Sequence, residues 1–206
     1  MILDPGKEVG TFDLSHRFVD LRQLPQVFRG SPEFCDLLGN LWLSTMVDNA
    51  RSSMQTIWQY LVVDTRLSML MPGMYPCIPG WHCDEFYRPA GIPDLAAAPD
   101  AEHLITVLGG CSRTRFVTQE IETTLEPSTD FYAKLHLEIE AKNPKTAQIE
   151  PGDWWRLSQL SPHRGEPATE AGWRYFFRMT GSNHHTPKNE LRTQTQVYLT
   201  APFAGW

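Results

Sequence analysis

Apolar residues in the first third of the chain recur at the three- to four-residue spacing of amphipathic helices. One helical stripe contains Met46, Val47, Ala50, Met54, Ile57, Trp58 and Leu61. Another helix is predicted to begin at Ser31-Pro32, a capping serine followed by a proline at the first helical position, and to stop at Gly39. The pattern predicts that residues 1–65 are largely helical and that the Ser44–Leu61 helix covers one face of a sheet.

From Leu67 onwards the pattern changes to short β-like runs separated by turns rich in proline and glycine. The strand candidates are Leu67–Leu70, Leu104–Leu108, Thr114–Val117, Lys134–Ile139, Asp153–Leu157 and Trp173–Met179. Many short strands after a helical segment favour an antiparallel sandwich or barrel with helices packed on one sheet. We therefore expect one mostly β domain, with a helical support over 1–65, a β core over 66–180, and a tail or added strand over 181–206.

Length and charge narrow the function classes. The chain has 206 residues, enough for one domain with a substantial core. Its net charge of −6 argues against a nucleic-acid-binding protein, which needs a basic surface. No apolar run approaches a membrane span, and the start MILDPGKEVG lacks the regions of a secretion signal, so we expect a cytoplasmic protein. The four cysteines contain no CxxC pair, which predicts reduced thiols rather than a zinc site.

The sequence PGWHCDEF contains two metal-binding side chains, His82 and Asp84, on either side of Cys83. Because side chains alternate along an extended strand, His82 and Asp84 point the same way and Cys83 points away. A third ligand must come from elsewhere, and we assign it to His163 in LSPHRG, just after the strand candidate Asp153–Leu157. Two histidines and one carboxylate bind ferrous iron on one face and leave the opposite face open.

The remaining histidines are interpreted as non-ligands. His103 is predicted in a surface loop, and His136 on the solvent-facing side of its strand candidate. His184 and His185 lie in a polar segment and are predicted at the surface, while His16 precedes the core.

The Trp173–Met179 run alternates between two distinct faces. One face carries Trp173, Tyr175, Phe177 and Met179, and the other carries Arg174, Phe176 and Arg178. We expect the first face to pack against the N-terminal helices and the second to look into the barrel. A buried guanidinium needs an anion, so Arg174 is predicted to meet either a protein carboxylate or a small dicarboxylate, which its planar fork suits. Arg178 is the alternative for the same role.

These motifs resemble the Fe(II)/2-oxoglutarate-dependent oxygenases, over roughly Leu67 to Thr180. The family's metal motif, HxD/E followed far downstream by His, matches His82, Asp84 and His163. An arginine eleven positions after the distal histidine matches Arg174 and is similar to the phytanoyl-CoA hydroxylase branch, whereas a longer interval would select Arg178. The resemblance implies a double-stranded β-helix (jelly-roll, cupin-like) core. It also implies a catalytic Fe(II), 2-oxoglutarate as cosubstrate and O₂, with hydroxylation of a substrate and release of succinate and CO₂.

Several further residues are assigned roles around this site. Tyr75 is placed either in a hydrogen bond to the cosubstrate or in turn packing, and Thr106 is a second cosubstrate contact if it points inward. Trp81, Phe86 and Tyr87 flank the ligands, either as walls of a substrate pocket or as core. A small-molecule substrate is expected. A preference for an anionic or polar one is based on arginines around the predicted mouth: Arg113, Arg115, Arg164 and Arg178.

Two other functions stay open at this point. A cupin-like metal enzyme would keep the fold and the ligands without using 2-oxoglutarate, and would not need Arg174. A non-catalytic binding or assembly module could use the arm Gln194–Trp206 to pair with a neighbouring copy as a homo-oligomer.

Overall fold

The structure is a computed structural model, and it describes residues 1–11, 19–84, 88–95 and 101–199. Within those residues, three α-helices accompany twelve strands. The helices are α1 (Pro32–Leu37), α2 (Leu41–Ser53) and α3 (Phe131–Lys142). The strands are β1 (Ile2–Leu3), β2 (Lys7–Thr11), β3 (Val27–Phe28), β4 (Tyr60–Leu70), β5 (Ala101–Leu108), β6 (Thr114–Val117), β7 (Ile121–Glu122), β8 (Thr146–Gln148), β9 (Asp153–Ser158), β10 (His163–Gly165), β11 (Gly172–Ser182) and β12 (Glu190–Leu191).

Two antiparallel sheets form the body of the fold. The larger one has the strand order β2-β9-β5-β11-β4, and the smaller one has the order β10-β6-β8. Two short pairs, β1 with β7 and β3 with β12, flank them. Between the sheets lies an apolar core in which Phe116 of the small sheet stacks on Trp155 of the large one, with ring centroids 4.5 Å apart. The prediction of a mostly β protein with flanking helices is confirmed.

The outer face of the large sheet is covered by α1 and α2, as predicted. Met46 and Val47 of α2 are buried against Tyr175 and Phe177 of β11. Ser31 caps α1, accepting a hydrogen bond from the backbone N–H of Phe34. No helix in the described residues is long and apolar enough to cross a membrane.

The N-terminal helical prediction is too broad. The second helix ends at Ser53 rather than Leu61, and the chain from Tyr60 onwards is strand β4. Ile57, predicted to lie on the buried stripe, is fully exposed. Strands β1 to β3 also fall within residues 1–65. The apolar residues after Ser53 follow the helical period by coincidence, because Leu61 belongs to the strand.

The strand candidate Lys134–Ile139 is wrong, because this run lies in helix α3. The buried residues of α3 are Phe131, Tyr132, Leu135 and Ile139, which have the spacing of one helix face. The alternation from Leu135 to Ile139 also fits a strand, and only Phe131 and Tyr132, one turn earlier, distinguish the two. The other five candidates lie within strands of the structure.

The described part of the C-terminal tail, for which a tail or an added strand is expected, contains the short strand β12. In the described part of this tail, Tyr198 makes an isolated bridge with Tyr75, and β12 pairs with β3. The segment Thr200–Trp206 lies outside the described residues.

Candidate metal centre and arginine-rich cavity

The three predicted metal ligands come together although His82 and His163 are far apart in sequence. His163 begins β10, and the chain at His82 pairs with it as an additional antiparallel bridge. The backbone N–H of His82 donates to the carbonyl of His163 over 3.0 Å, and the reverse bond measures 2.9 Å. These two hydrogen bonds fix the spacing of the histidines through the backbone.

The side chains of His82, Asp84 and His163 have the geometry of a metal site. One ligand atom from each lies within 4.8 Å of the others. Nε2 of His163 is 3.5 Å and Nε2 of His82 is 4.0 Å from the carboxylate of Asp84. The Nδ1 atoms of the two rings face backbone carbonyls, of Gly80 at 2.9 Å and Ser161 at 3.1 Å. A carbonyl can only accept, so each Nδ1 carries the proton and each Nε2 presents its lone pair to the centre.

The electrostatics of the cluster keep His82 and Asp84 in the forms that bind a cation. Burial lowers the pKa of His82 to about 4, and the neighbouring His163 acts in the same direction. Burial alone would raise the pKa of Asp84, but Arg178 and the two histidines hold it well below its usual range. At neutral pH, His82 is therefore a neutral imidazole and Asp84 beside it is an ionised carboxylate.

Arg178 is the main protein partner of Asp84. Its Nη1 forms an ion pair with the Asp84 carboxylate, and its Nη2 lies 3.4 Å from Asp64. Asp64 in turn binds Arg192 at 3.2 Å. Arg178 thus bridges a metal ligand and a second aspartate, and its charge is already matched by protein carboxylates.

Arg174 is placed differently from Arg178. It is only 3% exposed, and its guanidinium donates to the carbonyl of Ser112 at 3.3 Å and the hydroxyl of Thr114 at 2.8 Å. No carboxylate among the described residues pairs with it. Burial lowers the pKa of Arg174 to about 10, so that it stays charged at neutral pH. One predicted alternative was that Arg174 forms a salt bridge with a protein carboxylate. Among the described residues it forms none.

The metal ligands and Arg174 line one cavity of about 580 Å³. His163 of β10 and the segment His82–Asp84 supply the predicted ligands, and strands β4 and β11 supply Arg66, Arg174 and Arg178. On the inner face of these strands, register pairs Arg178 with Asp64, Phe176 with Arg66, and Arg174 with Ser68. The prediction that the Arg174 face of β11 looks inward is confirmed, while on the opposite face Trp173 is 41% exposed.

Two predicted cosubstrate contacts are not at the cavity. Thr106 is buried on β5, but it pairs in register with Phe177, whose side chain faces the helices. Tyr75 does not line the cavity. Its backbone pairs with that of Tyr198, and Tyr198 does line the cavity. Alternation along β5 could not reveal the orientation of Thr106, because both faces of this strand are buried.

The residues flanking the ligands divide between core and undescribed chain. Trp81 is buried in a cluster with α3 and donates to Glu140 at 2.7 Å, so the core interpretation holds for it. Phe86 and Tyr87 lie outside the described residues, as does His16.

His103 was predicted on the surface but is 1% exposed inside β5. Its Nδ1 is 2.9 Å from the hydroxyl of Thr180. Strand β5 begins at Ala101, three residues before the predicted start at Leu104, and therefore includes His103. His136 is half-buried on α3 and accepts from the backbone of Trp81, rather than facing solvent from a strand. His184 is exposed and His185 is half-buried.

The arginines predicted around the mouth are mostly elsewhere. Arg113 pairs with Glu150, and Arg115 and Arg164 share Glu166; none of the three lines the cavity. Sequence reasoning missed the arginines that do line it besides Arg174 and Arg178, namely Arg29, Arg66, Arg88 and Arg192. The alternation of β4, with Asp64 and Arg66 on one face, was the available signal.

The comparisons with known proteins find remote structural likenesses only. No protein-family model matches, and no curated protein matches. EvdO2 from Micromonospora carbonacea var. aurantiaca, complexed with 2-oxoglutarate, is 10% identical over 82% of this chain and 71% of that chain, with a TM-score of 0.45. An N-substituted L-amino acid dioxygenase from Burkholderia ambifaria AMMD, in complex with alpha-KG, is 13% identical over 81% of this chain and 73% of that chain, with a TM-score of 0.44. AviO1 from Streptomyces viridochromogenes Tue57 is 12% identical over 88% of this chain and 76% of that chain, with a TM-score of 0.42. At these identities and TM-scores the likenesses carry no argument about this protein.

Proposed function

We propose that this protein is an Fe(II)- and 2-oxoglutarate-dependent dioxygenase with a double-stranded β-helix core, which hydroxylates a small molecule. The observation that carries the proposal is the pairing of two features in one cavity. His82, Asp84 and His163 form a three-ligand cluster, and Arg174 is a buried cation with no carboxylate partner in the described chain.

His82, Asp84 and His163 would hold the metal. Two imidazoles and one carboxylate on one face suit Fe(II) and leave positions open for cosubstrate and O₂. The bound iron supplies the redox chemistry: one oxygen atom of O₂ enters the substrate, and the other enters succinate as 2-oxoglutarate loses CO₂. The protein's part is to hold the histidines in the correct tautomer, which the carbonyls of Gly80 and Ser161 do.

Arg174 would bind the carboxylate of 2-oxoglutarate that is distant from the metal. Its fork matches a carboxylate, and the pairing is strong in a site that excludes water. Thr114 fixes the guanidinium by accepting one of its N–H groups and can donate its own hydroxyl to the same carboxylate. Arg178 is the weaker candidate, because Asp84 and Asp64 already occupy it.

The proposal is tested by ligand-induced stabilisation together with product formation. Ligands that bind only the folded state raise the melting temperature. We expect Fe(II) with 2-oxoglutarate, or Mn(II) as a redox-inert substitute, to raise it more than either ligand alone. With O₂ and ascorbate, the protein should slowly release succinate even without a prime substrate.

The matched control is a pair of aspartate variants. Asp84→Ala should remove both the metal-dependent shift and succinate release while the protein stays folded by circular dichroism. Asp36→Ala, in an exposed part of α1, should retain both. A metal-dependent shift without any response to saturating 2-oxoglutarate would instead favour a cupin-like enzyme, and no metal binding at all would favour a non-catalytic module.

A further inference from the structure

The cavity is strongly basic although the chain as a whole is acidic. Six of its twenty lining residues are arginines: Arg29, Arg66, Arg88, Arg174, Arg178 and Arg192. The acidic residues of this lining are Asp64 and Asp84. Four positive charges are therefore in excess among the described residues, in a protein whose net charge is −6.

The proposed cofactors do not neutralise this excess. A divalent ion adds two positive charges, and the 2-oxoglutarate dianion removes two. The cosubstrate needs one arginine, which is Arg174 in the proposed function. Like charges gathered in a partly desolvated cavity repel each other, so the remaining arginines call for a further anion.

Apart from Arg88, which lies over the ring of Tyr132 at 4.3 Å, the arginines without a carboxylate partner among the described residues lie on or next to the β4 side of the cavity. Arg178 and Arg192 are both engaged by Asp64. Arg66 has no carboxylate partner in the described residues, and its Nη1 donates only to the carbonyl of Pro76, at 3.2 Å. The side chain of Arg29 forms no ion pair with any described residue, while its backbone N–H donates to Asp64 at 3.2 Å.

Arg66 occupies a central position on this wall. It pairs in register with Phe176, between the row of Arg174 and Ser68 and the row of Arg178 and Asp64. It is near enough to Arg174 that its charge lowers the pKa of that guanidinium. Arg66 therefore lines the same cavity as Arg174 from the adjacent strand.

We propose that the prime substrate carries an oxyanion, a phosphate or carboxylate group, which Arg66 binds with Arg29 and Arg192 beside it. This inference rests on the proposed function, because it assigns the substrate class of the same site. Anchoring the anion on the β4 wall leaves the uncharged part of the substrate to reach the open face of the metal. Arginine suits this role because its fork binds either oxyanion through two hydrogen bonds.

The direct test measures anion binding to the loaded protein. Wild type, Arg66→Gln and Arg113→Gln are saturated with Mn(II) and 2-oxoglutarate in sodium chloride. Each is then titrated with sodium sulfate, a tetrahedral probe, or sodium acetate, a planar one, at constant ionic strength. Sulfate stabilises folded proteins generally, so the result is the difference between variants. Arg113 is the matched control because it pairs with Glu150 outside the cavity.

We expect saturable stabilisation of wild type and Arg113→Gln by at least one probe, and apparent binding about tenfold weaker or worse in Arg66→Gln. The preferred probe indicates whether the group is phosphate-like or a carboxylate. Equal responses in all three proteins, or no saturable response, would overturn the anion site. A wild type that fails to respond to 2-oxoglutarate itself would instead overturn the proposed function.

Turnover provides a second measurement that does not depend on Arg66→Gln folding. Succinate release is assayed with matched pairs, an alcohol against its phosphate ester and a methyl ester against its free acid. The anionic members should be the ones that stimulate release. Stimulation confined to neutral or cationic members would contradict the proposal. Arg192→Gln serves as the second variant if Arg66→Gln does not fold.

Discussion

In the proposed function, Asp84 has to serve two cations, the metal and Arg178. The ion pair with Arg178 holds the carboxylate in its charged form. Arg178 also contacts Asp64, so Asp84 can turn towards a metal without leaving this arginine unmatched. In the proposed function, Arg178 would therefore position the metal ligand Asp84, whereas Arg174 would bind an incoming ligand.

This division of roles predicts different consequences for the two arginines. Arg174→Gln should weaken 2-oxoglutarate binding by roughly 30-fold or more, because a buried charge pair is worth about 2–5 kcal/mol when one partner is truncated. Arg178→Gln should change Mn(II) affinity more than 2-oxoglutarate affinity. Calorimetric titration of each ligand into both variants measures this, and the opposite ranking would move the cosubstrate clamp to Arg178.

His103 predicts a pH dependence of stability. Burial, followed by the charge of Arg178, lowers its pKa from 6.5 to about 3. Between these values the unfolded chain holds a proton that the folded protein does not, so stability is complete above pH 6.5 and falls as the pH drops towards 3. The loss from this residue is about 1.4 kcal/mol per pH unit.

Urea unfolding between pH 7 and pH 4.5 measures this slope. His103→Asn should show a shallower fall than wild type, and His184→Asn, at an exposed position, should match wild type. A slope that is the same in all three proteins would show that His103 titrates normally.

The sequence could predict that His82, Asp84 and His163 come together, but not most of the cavity. His82 and Asp84 follow from strand alternation alone, and Arg174 from the need of a buried charge for a partner. Arg29, Arg66 and Arg192 come from three separate segments that the β3–β12 pair and its bridge to β4 bring together. No local spacing encodes such an arrangement, since it depends on which strands become neighbours.

At the scale of elements, helix α3 shows where periodicity becomes ambiguous. The alternation of Leu135, Leu137 and Ile139 is equally compatible with one face of a strand. In the helix, Leu135 is fully buried while Leu137 is 67% exposed. Tertiary packing of Phe131 and Tyr132 favours the helix over the strand, because these residues extend the buried side of the segment by a full helical turn.

The two leucines therefore distinguish a helix from a strand experimentally. Leu135→Ala should lower the free energy of unfolding by about 2–5 kcal/mol, as expected for a buried leucine. Leu137→Ala should change it by no more than about 0.5 kcal/mol. Chemical denaturation of both variants gives the comparison. Similar large losses would mean that the segment is a strand with both leucines inside.

At the scale of the whole molecule, charge is segregated between surface and cavity. Arg113, Arg115 and Arg164 are matched by glutamates away from the site, while the unmatched arginines face inward. The general architecture, strands with helices on one sheet, followed from the order of sequence patterns. The segregation could not be predicted, because it depends on which partners the three-dimensional fold supplies to each arginine.

If the protein binds iron as proposed, the backbone bridge between His82 and His163 has a consequence for the loss of that metal. Two ligands are tied to each other by main-chain bonds that involve no metal. An emptied centre should therefore retain its shape, and iron removed by chelation or oxidation could be replaced without refolding. The protein would then have a preformed metal site whose ion can be exchanged.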